Sequence, residues 1–117
     1  LSKILTQTAD LCTDYQFIFL SSKESLNDGN KHYILPQWDM NPFYSVCDVL
    51  VCRSGGSTLA EVLKWGMPAI TIPWPGAMDN HQAKNATEFV KLAKNARVFN
   101  EDDTPGNLAT IIKSMTA

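Results

Sequence analysis

The sequence predicts an α/β fold, a Rossmann-like parallel sheet with helices on both faces. Short continuous apolar runs such as FIFL, DVLVC and AITI have the β-branched and aromatic composition of strands covered on both sides. Segments with helical periodicity stand between them. The joints are only a few residues long and are marked by glycine or proline, as in chains that alternate strand and helix.

From the N-terminus, Leu1 to Cys12 places Leu1, Ile4, Leu5 and Leu11 at helical spacing, and Tyr15 to Ser22 (YQFIFLSS) follows as a strand bounded by polar residues. KESLNDGN is predicted as a loop from its Asn-Asp-Gly-Asn cluster, HYILP as a short strand stopped by Pro36, and NPFYSVC as a short helix capped by Asn41 with Pro42 in its first position. DVLVC is predicted as a central strand. A helix from Ser57 to Trp65 ends at Gly66, and PAITIP is a strand between prolines. Asn80 to Lys94 is the longest amphipathic segment, with Ala83, Ala86, Phe89, Val90 and Ala93 toward the core. ARVFN and PGNLATIIKSM supply a last strand and helix. No linker, repeat or low-complexity stretch divides the 117 residues, so one domain is expected.

Composition narrows the function. Ten Lys and Arg against 12 Asp and Glu, a net charge of -2, give no basic surface to hold a nucleic acid by counterion release. Cys12, Cys47 and Cys52 are odd in number and lack CxxC or Cys/His ligand spacing, which predicts reduced core thiols of a cytosolic protein. No span approaches the ~20 apolar residues of a transmembrane helix, and the N-terminus lacks the order of a signal peptide. The chain starts at Leu1, inside a predicted helix, which suggests a fragment or processed piece.

In parallel sheets ligands bind beyond the carboxyl ends of the strands, where loops enter helices. RSGGS after DVLVC and WPGAMDN after AITIP occupy that place. Ser-Gly-Gly-Ser-Thr running into a helix offers unobstructed backbone N–H groups and the positive end of the helix dipole, which suit a phosphate or diphosphate. The competing account is a tight turn at Gly55 and Gly56 followed by a Thr58-x-x-Glu61 capping box. In the second loop Asp79, Asn80, His81 and Gln82 stand together at a helix start. One such residue suffices as a cap, and four in a row suit sugar hydroxyls better. Neither a Walker lysine nor a full G-x-G-x-x-G is present, which disfavours kinase-type and dinucleotide sites.

With these residues in view, CDVLVCRSGGSTLAEVLKWGMPAITIPWPGAMDNHQAKNA resembles the carboxyl-terminal, donor-binding half of MurG-type glycosyltransferases, which have the GT-B architecture of two Rossmann-like domains facing across a cleft. D-V-x-V-C-R-S-G, T-x-x-E, G-x-P-A and N-H-Q-x-K-N-A occur in that order, and the likeness is strong over Tyr33 to Ala96. The resemblance implies transfer of GlcNAc from UDP-GlcNAc to the undecaprenyl-diphosphate-linked muramyl pentapeptide (lipid I to lipid II) in peptidoglycan synthesis, at the cytoplasmic face of the bacterial plasma membrane. It implies that Gly55, Gly56, Ser57 and Thr58 meet the donor diphosphate, chiefly through backbone amides, that Ser54 beside them belongs to the substrate-binding set, and that Glu61 binds the ribose hydroxyls. His81 and Gln82 would hold the GlcNAc hydroxyls, with Asn80 beside them, and the main chain of Gln37 would meet uracil. Arg53 either faces the diphosphate or braces the loop through a buried ion pair. Trp38 and Trp74 flank these loops as stacking platforms, cleft walls or packing.

Relative to that family the chain starts downstream of the first strand and the glycine-rich loop of the donor half, and the acceptor domain is absent. Residues 1–117 are therefore expected to be a donor-binding domain incomplete on its N-terminal side, with no catalytic residue of its own and inactive alone. Contact with the lipid-linked acceptor and the membrane surface would run through the absent domain. The implied reaction is an inverting displacement in which helix N-terminal amides stabilise the leaving diphosphate. No cofactor is expected, and without an Asp-x-Asp pair no metal. Three rivals stand beside this reading: the donor-binding subunit of a dolichol-linked GlcNAc transferase, a glycolipid synthase using another UDP sugar, and a non-enzymatic α/β module whose loops are only caps.

Overall fold

In the computed structural model the described residues are 1–20, 26–76 and 81–116. The elements in chain order are α1 (Ser2–Leu11), β1 (Phe17–Leu20), β2 (Leu26–Asp28), β3 (Lys31–Ile34), α2 (Asn41–Val46), β4 (Leu50–Arg53), α3 (Gly56–Trp65), β5 (Ala69–Ile72), α4 (His81–Leu92), β6 (Ala96–Val98) and α5 (Pro105–Thr116). The alternation predicted from the sequence is present.

The described strands form two three-stranded sheets, in the orders β1-β3-β2 and β4-β5-β6. The second is wholly parallel, with Leu50 opposite Ala69 and Ala69 opposite Ala96. All four residues of β5 are buried, and their alternation feeds two cores. Ile70 and Ile72 join Phe99, Leu108 and Ile112 on one face, against Leu1, Ile4 and Leu5 of the N-terminal helix. Ala69 joins Leu59, Val62 and Phe89 on the other, beneath α3 and α4. This is the two-sided cover that the apolar strand runs predict.

Four expectations are corrected. Residues 26–28, read as loop, form β2, antiparallel to β3, with Asp28 opposite Lys31 across the two-residue turn Gly29-Asn30. Gly29 has φ +60, the left-handed value that such a hairpin turn requires. DVLVC, read as a central strand, lies at a sheet edge with all four β4 residues half-buried. Asn41 is the first residue of α2 and Met40 its cap. Leu11 and Ala83 point to solvent although their spacing assigned them inward.

Between the edge strands β1 and β4 lies a cavity of about 1210 Å³, lined by Phe17, Phe19, Leu50, Val51, Tyr44 and Ile112 among others. No helix among the described residues is long and apolar enough to cross a membrane.

Candidate functional site

The site lies at the carboxyl ends of β4 and β5. β4 ends at Arg53, and Ser54 turns the chain into α3. Ser54 is wholly buried. Its N–H donates to Gln82 Oε1 at 3.2 Å, its carbonyl accepts from Asn85 Nδ2 at 3.0 Å, and its hydroxyl meets Thr71 Oγ1 at 2.5 Å. Expected as a substrate-binding residue, Ser54 instead has its backbone and hydroxyl taken up inside the protein. It fixes the loop and does not face the crevice.

Gly55 caps α3 with an extended backbone, φ -69 and ψ 140, and no side chain supplies a capping hydrogen bond. The first helical bond runs from Leu59 N to Gly55 O, 3.0 Å. The N–H groups of Gly56, Ser57 and Thr58 precede it, and these are the donors a helix leaves without an internal acceptor. Thr58 is the third residue of α3 and Glu61 the sixth, so the capping box does not form. The tight-turn account fails as well. Neither Gly55 nor Gly56 has a positive φ, and a Cβ on either would meet nothing within 4 Å. Among the described residues nothing therefore requires glycine at either position.

The second loop is tied to the first. Gln82, one residue into α4, accepts the N–H of Trp74 at 2.8 Å with the same oxygen that accepts Ser54. Asn85 stands one turn along α4 on the same face and reaches Ser54 O. From the other side Arg53 donates to the carbonyls of Ile72 (3.4 Å) and Pro73 (3.2 Å) and forms an ion pair with Glu101. Of the two roles weighed for Arg53, the bracing ion pair is present.

Glu61 is exposed on α3. Beneath it the buried Tyr44 hydroxyl is shifted to higher pKa, first by burial and then by the adjacent Glu61 carboxylate. The Tyr44 and Trp65 rings lie 5.8 Å apart, and Trp65 Nε1 donates to Asn41 Oδ1 at 3.2 Å. Through these contacts α2 steadies the helix that carries Glu61.

His81 is the exposed first residue of α4, and Asn80 lies outside the described residues. Gln37 is exposed between β3 and α2 and donates to Leu35 O at 2.8 Å. Among the described residues no hydrogen bond joins it to the other candidates. Trp38 is fully exposed and Trp74 half-exposed. The structure thus brings together Arg53 to Thr58, Trp74 and Gln82, with Glu61 farther along α3. Sequence reasoning missed Thr71, Asn85, Tyr44 and Glu101. The spacing of Asn85 from Gln82, three residues on one helix face, was the available signal.

The sequence matches the glycosyltransferase family 28 C-terminal domain over residues 4–117. A protein of Aquifex aeolicus named UDP-N-acetylglucosamine–N-acetylmuramyl-(pentapeptide) pyrophosphoryl-undecaprenol N-acetylglucosamine transferase is 31% identical over 108 residues, 87% of this chain and 31% of its own length. One of the same name from Desulfotalea psychrophila is 46% identical over 65 residues, 56% of this chain and 17% of its own. Among solved structures, Acinetobacter baumannii MurG superposes with TM-score 0.64 at 28% identity, covering 74% of this chain and 25% of that one. The glycotransferase of kitacinnamycin superposes over 99% of this chain and 30% of that one, with TM-score 0.77 at 20% identity, a likeness of fold. The chain spans about a fifth to a third of the length of the curated relatives it matches most fully.

Proposed function

This chain belongs to the glycosyltransferase family 28 C-terminal domain family, and on that premise we propose that it is the donor-binding part of an inverting hexosyltransferase. The proposed reaction moves GlcNAc from UDP-GlcNAc to the undecaprenyl-diphosphate-linked muramyl pentapeptide, and the proposed location is the cytoplasmic face of the bacterial plasma membrane. The observation that carries this reading is the start of α3: a helix N-terminus that no side chain among the described residues caps, opened by two glycines that neither conformation nor described packing demands.

On this reading the N–H groups of Gly56, Ser57 and Thr58 hold the donor diphosphate where negative charge grows as UDP leaves, while Gly55 keeps the approach open. Preorganised amides of this kind are worth a few kcal/mol of transition-state stabilisation. Glu61 accepts the two ribose hydroxyls, which a carboxylate can do with both oxygens. His81 and Gln82 hold the GlcNAc hydroxyls, with Asn80 as a further candidate. The Gln82 oxygen is engaged by two main-chain donors, leaving its Nε2 to donate to the sugar. The Gln37 main chain meets uracil.

The chain is also proposed to be one part of a larger unit, with the lipid-linked acceptor met by another domain. The cavity between β1 and β4 supports a parallel strand there, supplied by polypeptide preceding Leu1. Residues 1–117 alone should then turn nothing over.

The test is UDP-GlcNAc binding by calorimetry on the full-length protein and its Glu61→Ala variant, with UDP-glucose and TDP-GlcNAc as controls. Selective binding that Glu61→Ala weakens by about 1 to 3 kcal/mol, the cost of losing a charged hydrogen-bond partner, supports the reading. Absent binding, or a variant with unchanged affinity, removes it.

A further inference from the structure

We propose that Glu101, which no sequence motif singled out, is a positioning residue that sets the spacing between the two donor loops. The inference rests on the donor reading above. Arg53 is the residue before Ser54, and its guanidinium crosses the carboxyl end of the sheet to the carbonyls of Ile72 and Pro73, immediately before Trp74. One side chain therefore spans from the diphosphate loop to the sugar loop. A guanidinium's planar fork holds such a geometry better when a second of its nitrogens is anchored as well. Glu101 anchors Nη2. Its Oε1 is enclosed and pairs with Arg53, with no other hydrogen-bond partner among the described residues.

Glu101 is itself a fixed post. The preceding Phe99 is buried in the core and its N–H donates to Thr71 O at 3.0 Å. Glu101 itself lies inside the turn that Asp103 N closes by donating to Asn100 O, 3.0 Å. The Arg53 side chain is thereby referred to the β6–α5 connection, a part of the chain outside both loops. Opposite it, Gln82 joins the same loops through Ser54 N and Trp74 N, so the spacing is held from two sides. A nucleotide sugar must touch both loops at once, whereas UDP meets the β4–α3 loop. The Arg53–Glu101 pair therefore acts on the sugar-bearing ligand.

The experiment uses the full-length protein and Glu101→Gln, which keeps the shape and removes the charge, with Arg53→Lys as a second variant that keeps charge and loses the fork. Calorimetry measures UDP and UDP-GlcNAc, and hydrogen exchange follows the Trp74 amide without ligand. Both variants should weaken UDP-GlcNAc about tenfold while changing UDP less than about twofold, as a small misplacement of a positioned group does. The Trp74 amide should exchange faster. Equal loss for both ligands, or no loss for either, overturns the proposal. If the unaltered protein binds neither ligand, the donor reading fails. The Trp74 amide then decides the positioning by itself, and unchanged exchange in Glu101→Gln refutes it.

Discussion

Gly56 is the residue at which function and stability separate most cleanly. It is the first residue of α3, its φ is not positive, and a Cβ there meets nothing within 4 Å. Gly56→Ala should therefore stabilise the fold by about 0.4 to 1 kcal/mol through the unfolded chain, while the added methyl, standing where the diphosphate is proposed to approach, should weaken UDP-GlcNAc binding about tenfold, roughly 1.4 kcal/mol. Thermal melting and calorimetry on the same variant check both signs, and a stabilised variant with undiminished binding would count against the anion site. Cys52 carries a different signal. Burial raises its thiol from 9.0 to about 11, partly offset by the Thr71 hydroxyl. The folded state then keeps a proton that the unfolded chain releases, so this contribution is whole below pH 9 and is lost as pH rises toward 11. The loss is on the order of 2 kcal/mol. Urea unfolding at pH 8 and pH 10.5 should show a smaller fall in Cys52→Ala than in the unaltered protein, with Tyr44, Cys12 and Cys47, also raised by burial, and Lys31, raised by its Asp10 partner, contributing to the remainder.

At the scale of elements, what the sequence discloses is what local pattern controls. AITI reads as a strand covered on both faces because all four residues are buried. The end of α3 is legible because Gly66 adopts φ 72 and returns its N–H to Val62 O. β2 was not legible, since Leu-Asn-Asp has no strand character and pairs only because Gly29 turns it onto β3. Asn30 in that turn stands 3.0 Å from the carbonyls of Ala9, Cys12 and Tyr15, closing the C-terminal end of α1 across at least 15 residues. The site divides in the same way. Gly55 to Glu61 and His81 to Gln82 could be picked out because composition at a helix start is a local property. Glu101 could not, because it acts on Arg53 from 48 residues away, and Ser54 was misassigned because only the fold shows Thr71, Gln82 and Asn85 around it.

For the molecule as a whole, the conflict over DVLVC is the informative one. A continuous apolar run suits a strand buried inside a sheet, yet among the described strands β4 has one partner, all its residues are half-buried, and its free edge and that of β1 flank an apolar cavity of about 1210 Å³. Unpaired apolar edges recruit strands. One strand between them, about 4.8 Å from each, would join the two sheets in the order β2-β3-β1-added-β4-β5-β6. α1, which already packs on α5, would then be a right-handed crossover from the added strand to β1. The consequence is measurable by hydrogen exchange on the 117-residue chain and on the full-length protein. In the longer polypeptide the slot-facing amides of residues 17–20 and 50–53 should be protected. In the short chain they should exchange rapidly while those of β5, buried between β4 and β6, remain slow. If β1 and β4 are protected equally in both, the edges are satisfied without an added strand, and the donor domain is complete in its sheet.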